Sequence, residues 1–153
     1  MAKDSPGVIA PPPLLALATI ALGLALDAIW PAPLFGPTAQ AVVGGALLLA
    51  GLGLVAACAL RFRRAGTNVP TYRPTTALVT DGPYRFSRNP IYIALLVTLA
   101  GLGVAVDSAW LLAGLVPLFV VLRWGVVARE ERYLDAKFPD AYPAYMERVR
   151  RWL

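Results

Sequence analysis

The sequence predicts an all-α, polytopic membrane protein with about four transmembrane helices and a cytoplasmic C-terminal amphipathic helix. Of its 153 residues, 58% are hydrophobic, and the mean hydropathy is +0.63. A soluble domain of this size needs more polar surface to face water. Only 15% of the residues are charged, and long runs of the chain are almost free of charge. Such runs are typical of membrane spans.

Four apolar runs give the order of the predicted membrane helices, at residues 14–30, 39–60, 91–106 and 109–127. The first two are long enough, or nearly so, to cross a hydrocarbon core of about 30 Å. The third is short, so we expect it to form with the fourth a tight hairpin that is tilted or does not span fully. The remaining segments predict a cytoplasmic loop at 61–89 and a cytoplasmic tail at 128–153. Residues 1–153 are expected to form one domain.

The basic residues determine the predicted orientation. Of the 14 Lys and Arg residues, six lie in the central loop and six in the tail, whereas the connections 31–37 and 107–108 hold none. By the positive-inside rule, both termini and the central loop then face the cytoplasm, and we expect a bacterial inner membrane. The net charge of +5 is therefore attributed to anchoring at the lipid surface, and no nucleic-acid partner is predicted.

The composition also excludes several kinds of chemistry. The chain has no histidine and a single cysteine, Cys58, so it offers no Ser–His–Asp triad, no internal disulfide and no predicted metal site. Residues 51–56 match the dinucleotide fingerprint G-x-G-x-x-A, but this copy lies inside an apolar run, without the strand that the fingerprint requires. We interpret Gly51 and Gly53, with the small-residue pairs Ala41/Gly45 and Gly101/Ala105, as sites of close helix packing.

Aromatic and apolar residues recur at helical spacing in the tail. Tyr142, Tyr145, Met146, Val149 and Trp152 fall on one face of a helix, and charged residues fall on the other. This pattern predicts an amphipathic helix that lies on the cytoplasmic membrane interface.

Two polar clusters are candidates for a functional site. The segment 81–92 combines a Gly-Pro turn, two arginines and two tyrosines, and it leads directly into the third apolar run. Glu130 and Glu131 follow the fourth run and are flanked by arginines. Arginines and free amides at a helix start suit a carboxylate or a phosphate. Taken alone, the first cluster could also be a basic membrane anchor, and the second an ion-paired helix surface.

Together, the two clusters resemble the isoprenylcysteine carboxyl methyltransferase and phospholipid methyltransferase superfamily of membrane enzymes. The superfamily carries G-x-x-R-x-x-R-[HN]-P-x-Y at a helix start, then E-E-x-x-L after a helical hairpin, and then F-x-x-x-Y-x-x-Y. In this chain the three patterns begin at Gly82, Glu130 and Phe138. Order and spacing agree over roughly residues 67–153, more than half of the chain.

The resemblance implies binding of S-adenosyl-L-methionine without a Rossmann domain, in a pocket closed by residues 67–89 and the tail. Glu130 and Arg85 are the catalytic residues that it suggests. The implied cofactor-binding residues are Tyr84, Arg88, Asn89, Pro90, Tyr92, Glu130 and Glu131. Asn89 stands where many relatives have histidine, and because an amide does not titrate, a proton relay at this position is in doubt.

The implied activity is methyl transfer to a lipophilic acceptor that enters from the bilayer. An isoprenylcysteine carboxylate, a phospholipid amine and a thiol all remain open as acceptors, and the oligomeric state is not predicted. Two other classes remain as alternatives: a non-catalytic multi-pass protein, such as a transporter or assembly subunit, and an NADPH-dependent membrane reductase.

Overall fold

The computed structural model of the chain describes residues 5–67 and 74–153. In these ranges it is all-helical and contains no strand, which confirms the predicted fold class. Its helices are α1 (Pro12–Ile29), α2 (Pro37–Arg64), α3 (Pro90–Ala105), α4 (Ala109–Lys137) and α5 (Ala141–Arg148). Lys3 and Arg73, which the prediction of orientation used, lie outside the described residues, as do positions 68–72 of the central loop.

Helix length separates the four apolar helices into two groups. Helices α1, α2 and α4, with 18, 28 and 29 residues, are long and apolar enough to cross a membrane. At 1.5 Å per residue, α3 with its 16 residues spans about 24 Å, less than a hydrocarbon core of about 30 Å. Helix α4 extends over about 43 Å, so its charged end, Ala128–Lys137, projects beyond the apolar part that precedes it.

Helix α3 occupies the centre of the bundle. It packs along α2 on one side and α4 on the other, and α1 packs against α4. A Cβ atom added to Gly51 would lie 2.6 Å from the Thr98 amide nitrogen, and one added to Gly101 would lie 2.6 Å from the Leu48 amide nitrogen. These glycines therefore allow the close packing that was predicted. Gly45 and Gly53 face open space, so for them the packing interpretation is wrong.

Polar side chains hold together the end of the bundle where α1 connects to α2 and α3 connects to α4. One Asp107 carboxylate oxygen accepts hydrogen bonds from the Leu34 and Phe35 amides, at 2.8 and 2.9 Å. The Ser108 hydroxyl caps α4 by accepting from the Leu111 amide at 3.0 Å, and it donates to Asp27. These contacts join the α1–α2 connection to the α3–α4 connection, and they give Asp27 a structural partner.

The tail differs from the single amphipathic helix that was predicted. Helix α5 ends at Arg148, and Val149 is already extended, with φ −129° and ψ 130°. Tyr142 and Tyr145 are 2% and 3% exposed, and the Tyr145 hydroxyl donates to the Tyr84 carbonyl at 2.6 Å. The aromatic face thus packs against the loop that precedes α3, whereas Val149 and Trp152 lie beyond the end of the helix.

Candidate functional site

A cavity of about 700 Å³ lies where α3 begins and the charged end of α4 emerges. Its polar end is lined by side chains from the loop before α3, from α4 and from α5. Apolar side chains from α1, α2 and α3 line the remainder, among them Leu17, Val55, Leu95 and Leu99. The cavity therefore has a charged end and an apolar interior.

The loop before α3 is shaped by a 3₁₀ turn, Gly82–Arg85. Gly82 has φ +58°, a conformation that glycine adopts without strain. A Cβ atom there would also lie 2.6 Å from Arg61 Nε. Arg61 uses this space to form an ion pair with Asp81 at 2.8 Å, which ties the loop to the end of α2. The turn thereby fixes Tyr84, which is 5% exposed and lines the cavity.

Glu131 connects the two clusters that the sequence singled out. Its carboxylate lies 3.2 Å from Arg88 Nη2, and both side chains are only 11% exposed. Arg151 approaches the same carboxylate with two nitrogens, Nε at 3.1 Å and Nη2 at 2.6 Å. Three guanidinium contacts therefore satisfy Glu131, as a buried carboxylate requires. This pairing raises the pKa of Arg151, chiefly through its hydrogen bond to Glu131.

Glu130 has a different environment from its neighbour. The Tyr92 hydroxyl, from the first turn of α3, donates to its carboxylate at 2.7 Å. Burial in the cavity wall raises the pKa of Glu130 from 4.5 to about 7; the hydrogen bond from Tyr92 opposes this effect, and the nearby charge of Glu131 adds to it. Of the two adjacent glutamates, Glu131 is paired with two arginines, whereas Glu130 exchanges its proton near neutral pH.

The structure brings most of the predicted site residues together. Six line the cavity, namely Tyr84, Arg88, Asn89, Tyr92, Glu130 and Glu131. Pro90 is buried at the first position of α3 but does not line it. Arg85 is exposed on the 3₁₀ turn and lies outside the cavity lining, so its position does not favour the catalytic role that the motif implied.

Asn89 packs against the non-helical C-terminal segment, residues 149–153. Its side-chain nitrogen donates to the Arg151 carbonyl at 3.0 Å, and its backbone amide donates to the Ser87 hydroxyl at 3.1 Å. An amide suits this contact because it donates without titrating. Asn89 is thereby a link between the motif and the end of the chain.

Two buried polar atoms beside the cavity lack a hydrogen-bond partner within the described residues, Arg88 Nε and the Tyr84 hydroxyl. The Cys58 thiol lies next to the Tyr84 hydroxyl, but a thiol is a weak partner. Leaving a buried donor unpaired costs about 1–3 kcal/mol. A polar ligand that supplied an acceptor to Arg88 would remove part of this cost, so the donor set fits an anionic group.

Sequence reasoning missed the part that the two chain ends play in the site. The N-terminal segment lies against α4, where the Ile9 amide donates to the Gly125 carbonyl at 3.2 Å and Arg129 donates to the Gly7 carbonyl at 2.8 Å. Arg151 was counted only as a basic tail residue. Its contact with Glu131 depends on a chain path that no local pattern reports.

Comparison of the sequence with known proteins identifies its family. The model of the phospholipid methyltransferase family matches residues 39–141, more than half of the chain. The chain is 35% identical over 68 residues to the cobalt-zinc-cadmium resistance protein CzcN of Cupriavidus metallidurans. It is 37% identical over 68 residues to the nickel-cobalt-cadmium resistance protein NccN of Alcaligenes xylosoxydans. Each of these matches covers 44% of this chain and 32% of the relative.

A third relative is an uncharacterized protein of Haemophilus influenzae, 40% identical over 65 residues, which are 41% of this chain and 100% of that protein. The chain thus spans about a third of the length of the two resistance proteins that it matches. No solved structure matches the chain.

Proposed function

Because the chain belongs to the phospholipid methyltransferase family, we propose that it transfers a methyl group from S-adenosyl-L-methionine to a lipophilic acceptor at the cytoplasmic face of the membrane. The observation that carries the proposal is the meeting of Arg88 and Glu131, 3.2 Å apart, at the polar end of a cavity with otherwise apolar walls. Residues 43 positions apart in the sequence assemble there into a charged, largely buried site.

The side chains present fit the chemical groups of this cofactor. Arg88 has an unpartnered buried nitrogen and suits a carboxylate. Glu130, partnered by the neutral Tyr92 hydroxyl, suits a cationic group, and the tyrosine faces in the cavity wall suit a sulfonium. Glu131 is saturated by two arginines, so it orients Arg88 and is not free for an ammonium group. When bound, the cofactor supplies a methyl group already activated for displacement.

The protein would then contribute position and desolvation, which methyl transfer chiefly requires. The buried pairing of Arg88 with Glu131 holds the anion-binding nitrogen in place. The apolar wall excludes water from the region where an acceptor would meet the methyl group. Displacement at this activated methyl group needs no protein nucleophile.

The apolar part of the cavity suits an acceptor that arrives from the bilayer. Its side chains come from α1, at Ala16, Leu17 and Ile20, and from α2, at Val55 and Phe62. These two helices pack on different partners, α1 on α4 and α2 on α3. We therefore place lateral entry between α1 and α2, with membrane lipids as the surrounding partners. The basic residues of the loop and tail orient the polar end toward the cytoplasm.

Glu130 favours an acceptor that brings a proton. A thiol or a protonated amine must lose one in order to attack, and the Glu130 carboxylate, ionised beside the bound cofactor, is able to receive it. An acceptor carboxylate would need no base and would be repelled by Glu130 whenever that side chain is ionised. Within the three acceptor classes left open by the sequence, this argument supports a phospholipid amine or a lipophilic thiol over an isoprenylcysteine carboxylate.

Calorimetry on the detergent-purified protein tests the proposal. Binding of S-adenosyl-L-methionine and of its product, S-adenosylhomocysteine, is expected, and NADPH should produce no heat. Arg88→Ala should weaken S-adenosylhomocysteine binding by roughly 10- to 150-fold, since a hydrogen bond to a charged group contributes about 1.5–3 kcal/mol. Arg63→Ala, which removes an exposed arginine at the end of α2, is the matched control.

Each alternative class has its own outcome in the same experiment. Binding of NADPH without either methionine derivative would support a membrane reductase and end the proposal. No detectable binding of any of the three ligands would favour a non-catalytic protein. A transporter would be expected to have a free carboxylate within a membrane helix. Asp27, the one carboxylate in α1, instead accepts a hydrogen bond from Ser108.

A further inference from the structure

The last residues of the chain lie beside the motif that begins α3. After α5 ends, Val149 turns the backbone into an extended path. The Arg150 carbonyl accepts from the Arg88 amide at 2.9 Å. The Arg151 carbonyl accepts from the Asn89 side chain at 3.0 Å and from the Ser87 hydroxyl at 3.3 Å. Three consecutive motif residues therefore depend on two carbonyls of the C-terminal segment for hydrogen bonds.

The same segment is attached to α4. The Trp152 ring packs at 5.0 Å, centroid to centroid, from the Phe119 ring, and it joins the core cluster that contains Leu122 and Val126. Between these two attachments, the Arg151 guanidinium turns toward Glu131. The segment thus connects the start of α3 with the charged end of α4.

The distances around Glu131 reveal a competition between two arginines. Arg151 takes both carboxylate oxygens, Nε with Oε1 at 3.1 Å and Nη2 with Oε2 at 2.6 Å. Such a fork is the strongest geometry that an arginine forms with a carboxylate. Arg88 is left with one longer contact of 3.2 Å, and its Nε has no partner within the described residues. Arg151 itself is not among the cavity-lining residues.

From this arrangement we propose that Arg151 is a positioning residue, which occupies Glu131 and so keeps the donors of Arg88 available to an anionic ligand group. Without Arg151, Glu131 would draw Arg88 into its own fork and away from the cavity. The inference rests on the proposed function for its ligand. The geometric part, in which the C-terminal segment holds the motif, stands independently of any ligand.

The binding test compares two ligands in the full-length, detergent-purified protein. Arg151→Ala should weaken S-adenosylhomocysteine at least tenfold, but it should leave 5′-methylthioadenosine, which lacks the carboxylate, within about twofold. Arg151→Lys keeps the charge without the fork, so it should restore only part of the affinity. Arg148→Ala, which removes an arginine whose Nε bonds only within its own helix to the Ala144 carbonyl, should bind like the unmodified protein.

A double-mutant cycle separates positioning from general support of the fold. If Arg151 acts through Glu131, then Arg151→Ala should have an effect within about twofold in a Glu131→Gln background. Additive losses in the double variant, or equal weakening of both ligands, would overturn the proposal.

Hydrogen exchange provides a readout that needs no ligand. Residues 86–92 should exchange faster in Arg151→Ala than in the unmodified protein, because loss of the side-chain contact with Glu131 loosens the segment whose Arg150 carbonyl accepts from the Arg88 amide. They should be unchanged in Arg148→Ala. If the unmodified protein fails to bind S-adenosylhomocysteine, the proposed function falls while the exchange result still decides the positioning. Unchanged exchange in Arg151→Ala would overturn the proposal even if the ligand binds.

Discussion

Proton exchange at Glu130 should make cofactor binding depend on pH. In the protein, burial raises the pKa of this carboxyl from 4.5 to about 7. At a pH between these two pKa values, Glu130 in the folded protein therefore keeps a proton that an exposed glutamate would have lost. A ligand that places positive charge beside the carboxylate favours its ionised form. Binding of S-adenosyl-L-methionine should accordingly release the proton, and the affinity should fall as the pH decreases below 7.

The size of this effect follows from the pKa. With a value of about 7, Glu130 carries a proton in roughly 90% of molecules at pH 6, half at pH 7 and a tenth at pH 8. If the bound form is fully ionised, about 0.9, 0.5 and 0.1 protons are released per ligand at these pH values. The same linkage makes the dissociation constant about tenfold larger at pH 6 than at pH 8.

Calorimetry in two buffers of different ionisation enthalpy measures the number of protons released. Glu130→Gln is the matched control, since it retains shape but cannot titrate, and it should bind with little change between pH 6 and pH 7. Amino groups of the ligand and of the N-terminus also titrate, near pH 7.7–8.0, and are common to both proteins. The chain has no histidine to contribute. An identical pH dependence in the two proteins would refute the assignment of the proton to Glu130.

Three further substitutions test individual contacts. Gly51→Ala should lower stability by about 1–3 kcal/mol, because the added Cβ meets the Thr98 amide nitrogen at 2.6 Å; Gly53→Ala, which faces open space, should have little effect on the melting temperature, and equal melting of the two variants would contradict the packing. Tyr92→Phe removes a hydrogen bond that lowers the pKa of Glu130, so the midpoint of proton release should move above pH 7, and a fall below 7 would reverse the sign assigned to this contact. Arg85→Ala should leave S-adenosylhomocysteine affinity within about threefold, since Arg85 lies outside the cavity lining; a larger loss measured by calorimetry would return Arg85 to the site.

Hydropathy predicted the order of the four apolar helices, three of which are long enough to cross a membrane, because a bilayer requires long apolar runs. It misjudged where helices stop, since hydropathy reports depth in the membrane and not the hydrogen bonds of the backbone. Helix α4 continues to Lys137, ten residues past the predicted span, because Ala, Arg, Glu, Leu and Lys, which make up most of its last ten residues, are strong helix formers. At the tail, helical spacing continued to Trp152, yet the backbone leaves the helix at Val149.

The pairing of the two polar clusters could be predicted because a hairpin returns the chain to the membrane face from which it started. The start of α3 and the end of α4 must therefore emerge on one side. Which partner each side chain takes could not be predicted in this way. The fork between Arg151 and Glu131 depends on the extended path of the last residues, and the exposure of Arg85 depends on the 3₁₀ turn that carries it.

A wide turn within α4 decides which charges reach the cavity. Leu118, Leu122 and Val126 are buried, and Glu130 and Leu134 line the cavity. They form one row of inward-facing residues at every fourth position, next to Val127 and Glu131, which also face inward. In a regular α-helix, four residues turn about 40° more than one full turn. Over the four steps from Leu118 to Leu134, this row of side chains would therefore rotate by roughly 160° around the helix axis. The π-helical segment Leu122–Val127 accommodates about one extra residue and removes roughly 100° of this drift. Without it, Arg129 would replace Glu130 on the inward face, and the cavity would present positive charge where the proposed cofactor needs a negative partner for its cationic groups.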